Sequence, residues 1–291
     1  MPVSSDLTVM YALSHEARIG PKTMAGLLLH FHNPAIIWET TVSELSEHVQ
    51  LSDDTMGRLE TAHEEMERIE ADLAAILDSG IQLVTILDDH YPERLRRLDD
   101  PPTILYVRGG LPDPAKRMVA VVGTHQADEE GIADAVAWGK GLAQRGVIVV
   151  SGLARGIDGG GHTGALAGGG DTIAVLGSGV DNIYPPEHRV LANEIAHHGA
   201  LISEYSPSSA LTKARLVLRN RIIVGLSDAV VVVRLHEDTR GSMEAVRRAR
   251  DIALPIFLVA TDTGNAARHA VAEGALPIGR LPDFDLVLNY L

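Results

Sequence analysis

Eight apolar runs, rich in β-branched residues and separated by segments of helical spacing, set the tightest limit on what this chain can fold into. They are Ile81–Leu87, Ile104–Val107, Met118–Val122, Val147–Val150, Thr172–Leu176, Ala200–Ser203, Ala229–Val233 and Ile256–Ala260. A run that is apolar at consecutive positions, rather than alternating, is buried on both faces, as in a parallel sheet covered by helices on each side. The intervening stretches Glu130–Gln144, Gly161–Ala167, Glu187–His197, Arg215–Leu226 and Gly241–Asp251 carry the 3.6-residue period of those helices. The predicted fold class is therefore α/β, a Rossmann-like, doubly wound and mostly parallel sheet. Residues upstream read differently. Leu7–Leu13, Pro21–His30, Val42–His48 and a long stretch from Thr55 to Leu77 have helical spacing without strands. The expected division is a small all-helical domain at 1–78 and the sheet domain at 79–291, entered through Asp99-Asp100-Pro101-Pro102 and the turn Gly109–Pro114.

Doubly wound sheets bind ligands at the carboxyl ends of their strands, and the glycines cluster there. Three strand-to-helix junctions suit an anion: Val121-Val122-Gly123-Thr124-His125, Val149-Val150-Ser151-Gly152-Leu153-Ala154-Arg155-Gly156, and Val175-Leu176-Gly177-Ser178-Gly179. Glycine lets the backbone approach a phosphate, and a following helix N-terminus aims N–H groups and a positive dipole at it. Any one of these junctions serves equally well as a tight turn; three at one sheet edge favour the anion site. No Walker loop is present, so a nucleotide hydrolase of that type is not expected, and a dinucleotide cofactor is not expected either. No cofactor of any kind is expected. Arg219-Asn220-Arg221 and Gly241-Ser242 complete the candidate set. Guanidinium suits phosphate because it donates two parallel hydrogen bonds. On one continuous helix, residues two apart point about 200° away from each other, so one of Arg219 and Arg221 is expected to face the cleft.

Charge and composition bear on the partner. The formal charge is −14, which alone argues against a polyanion. Its distribution matters more: residues 39–78 hold twelve Asp/Glu and two Arg, whereas 211–250 hold nine Lys/Arg against four Asp/Glu, and the basic stretch coincides with the motifs. Aromatics are 4%, too sparse for base stacking to dominate binding. There is no cysteine, which removes disulfides, thiolate metal sites and a cysteine nucleophile. His30, His32, His162, His197 and His198 lack nearby carboxylates that would complete a ligand set, so no metal is expected. Asp158 and His162, four apart, read as stabilisers of a helix start rather than an acid–base pair. No basic start followed by an apolar run marks a signal peptide, and no apolar run reaches the ~20 residues of a membrane span. A cytoplasmic location is expected.

The same residues carry a resemblance. Ser151-Gly152-Leu153-Ala154-Arg155-Gly156-Ile157-Asp158 with His162, Thr172–Gly179 running to Asp181 and Tyr184-Pro185, Arg219–Ser227, and Gly241-Ser242 resemble the DNA-processing protein A (DprA/Smf) family. Tyr91-Pro92 and Pro101–Gly109 look like that family's entry into its Rossmann domain, and Ile19-Gly20-Pro21-Lys22-Thr23 is similar to its small helical (SAM or helix-hairpin-helix-like) domain. The resemblance implies binding of single-stranded DNA, protection of incoming DNA in natural transformation, handover to the recombinase RecA, a homodimer and no catalysis. It implies phosphate-binding roles for Gly123, Thr124, His125, Ser151, Gly152, Arg155, Gly156, Gly177, Arg219, Asn220, Arg221, Gly241 and Ser242.

Some positions depart from the family pattern. His125 stands where Gly-Ser-Arg or Gly-Thr-Arg is usual, Arg215-Leu216-Val217-Leu218 replaces an aromatic segment, and Arg234 replaces an acidic residue. The C-terminal winged helix that many members append is not expected here. Two other readings remain open: a sensor of a nucleotide-derived small molecule, and a phosphoribohydrolase of the lysine-decarboxylase-like (LOG) group. Against the latter, Thr239-Arg240-Gly241-Ser242-Met243-Glu244 lacks the glycine pair and places its glutamate one position early.

Overall fold

A computed structural model describes residues 5–236, 240–259, 264–279 and 283–291. The first four residues of the expected 1–78 domain, Ala260 at the end of the eighth apolar run and Thr239 of the hydrolase-like segment lie outside them. The chain packs as two compact units, Met1–Tyr91 with Leu95–Tyr106, and Pro92–Arg94 with Val107–Leu291. The division thus falls later than residue 78. Residues 81–106 are tied to one another by hydrogen bonds from Ile86 N to Thr103 O (2.9 Å) and from the Tyr91 hydroxyl to Pro102 O (2.8 Å).

In the smaller unit, helices α1 (Ser5–Tyr11), α2 (Pro21–Phe31), α3 (Pro34–Glu39), α4 (Val42–His48), α5 (Asp53–Glu64) and α6 (Met66–Asp78) precede strand β1 (Gln82–Thr85). Their boundaries follow from capping chemistry. Gly20 and Pro21 open α2, the Asn33 side chain accepts from Ala35 N (2.8 Å) to open α3, and Thr41 with Glu44 forms a reciprocal capping box on α4. The long stretch predicted from Thr55 breaks at Glu65, whose φ of −105° and ψ of 18° are not helical. Leu13, Ile19, Met24, Leu27, Ile37, Leu45 and Leu59 form the core of this unit.

The short helix α7 (Glu93–Arg96) and strand β2 (Ile104–Gly109) lead into the larger unit. There follow β3 (Met118–Gly123), α8 (Glu129–Ala143), β4 (Ile148–Ser151), α9 (Ile157–Ala167), β5 (Thr172–Val175), α10 (Arg189–His197) and β6 (Gly199–Ser203). Next come α11 (Lys213–Leu218), α12 (Asn220–Leu226), β7 (Ala229–Arg234), α13 (Arg240–Asp251), β8 (Ile256–Val259), α14 (Asn265–Ala272), β9 (Leu276–Ile278) and α15 (Phe284–Leu288). Strands β3 to β9 form one parallel sheet in the order β6-β5-β4-β3-β7-β8-β9. The chain winds outward from β3 to β6 and returns beside β3 with β7, so the strand order reverses at the β3–β7 pair. That is the place where such sheets open a crevice for a ligand. The strands β3 to β8 are buried along most of their length, with Trp138, Val149, Ile157, Val231 and Phe257 in one core.

The predicted α/β class and the parallel sheet are therefore present. Elements not foreseen are α3, α7, α14, β9 and α15, all short. The segment Arg215–Leu226 is two helices, α11 and α12, that meet at Arg219. Among the described residues no helix is long and apolar enough to cross a membrane.

Candidate nucleic-acid interface

At the carboxyl ends of β3, β4 and β5 the three glycine-bearing turns surround a cavity of about 570 Å³. Of the residues singled out from sequence, Gly123, His125, Gly152, Arg155, Gly177, Arg219, Asn220, Gly241 and Ser242 line it; Thr124, Ser151, Gly156 and Arg221 stand behind the lining. The clustering expected at one sheet edge is real. The roles within it differ from residue to residue.

The serines and Asn220 brace the turns. Ser151 Oγ donates to Val121 O (2.6 Å) and Ser242 Oγ donates to Gly123 O (2.8 Å), each joining two strand-to-helix junctions, and Asn220 Nδ2 at the start of α12 donates to Gly241 O (2.8 Å). Thr124 is buried, donates its N–H to Arg234 O (2.9 Å) and accepts from Gln126 N (3.1 Å). Gly156 sits at φ +71°, and a Cβ there would lie 2.5 Å from Thr124 O, so this position demands glycine for both conformation and space.

Of the two arginines, one of which was expected to face the cleft, Arg219 lines the cavity and Arg221 does not, and neither guanidinium is free. Their side chains are 5% and 4% exposed. Arg221 pairs with Glu204, and Arg219 donates to Gly152 O and Val175 O and stands 3.5 Å from Asp158 Oδ2. Both guanidinium groups are held by partners that the fold brings in from other elements, Asp158 on α9 for Arg219 and Glu204 after β6 for Arg221. Burial in turn draws the Arg219 pKa down, opposed by the Asp158 charge, and pushes the Asp158 carboxyl up, opposed by Arg219 and by the N–H groups of Ala154 and Gly152.

Asp158 and His162 do not pair with each other through any hydrogen bond described. His162 is fully buried, with Nδ1 2.7 Å from Thr172 Oγ1. Because Thr172 donates its own hydroxyl proton to Val149 O (2.7 Å), it accepts from His162, which fixes the proton on Nδ1. Burial first, then the positive charges of Arg219 and His188, hold the His162 pKa down at about 3. It is a neutral structural histidine. Among the described residues no group of three His, Asp or Glu side chains could hold a metal.

Exposed basic side chains lining the cavity are His125, Arg155 and Lys213. Arg155 pairs with Glu187 and lies 5.9 Å over the Tyr184 ring. Pairing with that carboxylate raises the Arg155 pKa and lowers that of Glu187. Tyr184, Leu211, Leu216 and Val217 give the same cavity an apolar lining. Sequence reasoning did not single out Lys213 or this lining. The signal available was Thr212, whose side chain caps α11 by accepting from Arg215 N (3.2 Å) and so places Lys213 at the helix start.

Comparison with known proteins agrees with this architecture. Residues 82–284 match the family described as DNA recombination-mediator protein A. The DNA processing protein DprA of Bacillus subtilis is 36% identical over 188 residues, which are 64% of this chain and 63% of that protein, so the match spans less than two thirds of that relative's length. The crystal structure of DNA processing protein A from Streptococcus pneumoniae superposes with a TM-score of 0.79 at 26% identity, covering 96% of this chain and 95% of that one. A structure of DNA processing protein A from Helicobacter pylori, described for its single-stranded DNA binding mode, superposes with a TM-score of 0.63 at 27% identity over 72% of this chain and 98% of that one. With the matched segment covering most of the sequence and the whole of the parallel sheet, the chain belongs to the DNA recombination-mediator protein A family.

Proposed function

We propose that this protein binds single-stranded DNA through the cavity at the carboxyl ends of β3, β4 and β5 and acts as a DNA-processing recombination mediator. The observation that carries the reading is the pairing of two surfaces in one cavity: exposed basic side chains at His125, Arg155 and Lys213, and an apolar lining of Tyr184, Leu211, Leu216 and Val217. The basic side chains suit a phosphate backbone, and the apolar lining suits bases that a duplex would keep stacked inside. Binding of this kind reads no sequence and weakens steeply with salt. The single-stranded DNA described for the Helicobacter pylori relative supports the same ligand. The finer parts of the role rest on family membership alone: protection of incoming DNA, handover to RecA, a homodimer and a cytoplasmic location.

The role is non-catalytic in this reading. Supporting that, Glu244, the residue nearest in sequence to the glutamate of the phosphoribohydrolase motif, pairs with Arg248 (2.9 Å) and does not line the cavity. The cavity volume also falls within the range of small-molecule sites, which keeps a nucleotide-derived ligand as the second reading.

One titration separates these. Labelled single-stranded and double-stranded oligonucleotides are bound across a salt series, in parallel with nucleoside monophosphates. Preference for the single strand with a steep salt response is expected. Tight binding of the mononucleotide with equal or no response to either DNA form would replace the proposal with the small-molecule reading, and release of free base would replace it with the enzymatic one.

A further inference from the structure

Resting on the nucleic-acid reading above, we infer that Arg219 is a positioning residue rather than a phosphate contact, and that it works with Asp158 as one buried, charge-balanced unit beneath the interface. Three elements meet at this guanidinium. It donates to Gly152 O in the second turn and to Val175 O at the end of β5, and its Nη2 stands 3.5 Å from Asp158 Oδ2 on α9. Its planar face lies where a Cβ of residue 152 would be, so the glycine there makes room for an internal cation and not for a ligand. Leu153 follows at φ +62°, a left-handed conformation that a non-glycine residue adopts only when its surroundings impose it.

Asp158 completes the arrangement. Its carboxylate faces the N–H groups of Gly152 and Ala154, the donors that a glycine-rich turn before a helix would otherwise aim at a phosphate. The second turn therefore carries its own anion. Asp158 borders the cavity, and Arg219 cancels its charge. The pair adds no net charge to the interface, and phosphate attraction falls to His125, Arg155 and Lys213 at the mouth. Removing Arg219 alone would do two things at once. It would release Gly152 O and Val175 O, and it would leave an uncompensated carboxylate bordering the path of the phosphates. Removing both charges together, with amides that still donate and accept, would avoid the second effect and most of the first.

The experiment compares wild type, Lys213→Ala, Arg219→Ala, Asp158→Asn and the double variant Arg219→Gln/Asp158→Asn, each checked by thermal melting. Binding to a labelled oligothymidylate of about 16 nucleotides is measured across a salt series. Lys213→Ala should lower the slope of log K against log salt by about 0.7, the signature of one lost phosphate contact on a single strand. Arg219→Ala should weaken binding by about tenfold or more, through the unbalanced negative charge. The double variant should recover binding to within about threefold of wild type and keep the wild-type slope, although it has no guanidinium at 219. Recovery of this kind is outside the reach of a residue that contacts phosphate itself. A double variant that binds as weakly as Arg219→Ala, with its slope lowered by about 0.7, overturns the inference. Should Arg219→Ala fail to fold, the double variant against wild type decides alone. A wild-type protein without salt-dependent binding overturns the proposed function instead, which keeps the two failures apart.

Discussion

Acidification should destabilise the larger unit through one residue, His162. The ring is fully buried, its Nδ1–H is given to Thr172 Oγ1, and Nε2 has no hydrogen-bond partner among the described residues. A second proton would have to sit on Nε2, in the core, facing the positive charge of Arg219 and His188. The folded-state pKa is accordingly about 3, against 6.5 for an ordinary histidine. Between those values the unfolded chain binds a proton that the folded chain does not, so stability falls as pH falls. The contribution is complete above pH 6.5 and is lost as the pH drops through that value towards 3. Linkage gives a loss of ~2 kcal/mol at pH ~5 relative to pH ~8, and the figure is insensitive to the folded pKa as long as it lies well below 5.

Urea unfolding at these two pH values measures the loss. Trp138, buried in the larger unit, serves as the fluorescent reporter, with Trp38→Phe in the background to remove the only other tryptophan. Carboxylates titrate as well, so the quantity that matters is the difference between wild type and His162→Gln, whose amide can still donate to Thr172. Wild type should lose ~2 kcal/mol more than the variant on going to pH ~5. Equal losses in the two proteins would show that His162 is protonated in the folded state and would refute the argument.

Three further outcomes follow from contacts described above. Glu204→Ala removes a carboxylate paired with the buried Arg221 guanidinium and should destabilise by ~1–3 kcal/mol in urea unfolding, whereas Glu204→Gln, which can still accept from the guanidinium, should cost clearly less. Gly156→Ala places a Cβ 2.5 Å from Thr124 O at a residue with φ +71°, so a loss of ~1–3 kcal/mol with weakened DNA binding is expected; an unchanged melting temperature would count against the described turn. In the smaller unit, Thr41→Ala removes the capping box of α4 and should cost ~1 kcal/mol, read by circular dichroism melting, with the salt slope of DNA binding unaltered.

Much of the fold was legible because its signals are local. Met118–Val122 and Ala229–Val233 read as buried strands from consecutive β-branched residues, and they pair in parallel with Val121 opposite Val231. Val42–His48 was delimited correctly because its cap and its period lie within a few residues. The elements missed are Pro34–Glu39, Glu93–Arg96, Asn265–Ala272, Leu276–Ile278 and Phe284–Leu288. They are held by tertiary packing, as where Phe284 sits edge-on to Trp138 with centroids 5.1 Å apart. At the candidate site the positions of the turns were legible, and nine of the residues named from sequence do line one cavity.

What the sequence determined unaided was an ordering: which segments are buried strands, which junctions carry glycine, and that these junctions recur at one sheet edge. It could do so because backbone conformation and burial pattern depend on near neighbours along the chain. The destination of charge was decided only in three dimensions. Arg219, Arg221 and Asp158 could each have met solvent, a ligand or one another, and the packing of α9 and of the segment after β6 gave the two arginines Asp158 and Glu204 as partners while Lys213 stayed at the surface. A charged side chain takes its partner from whatever the fold brings within about 4 Å, and partners 61 residues apart, as Arg219 and Asp158 are, leave no periodic trace in the sequence.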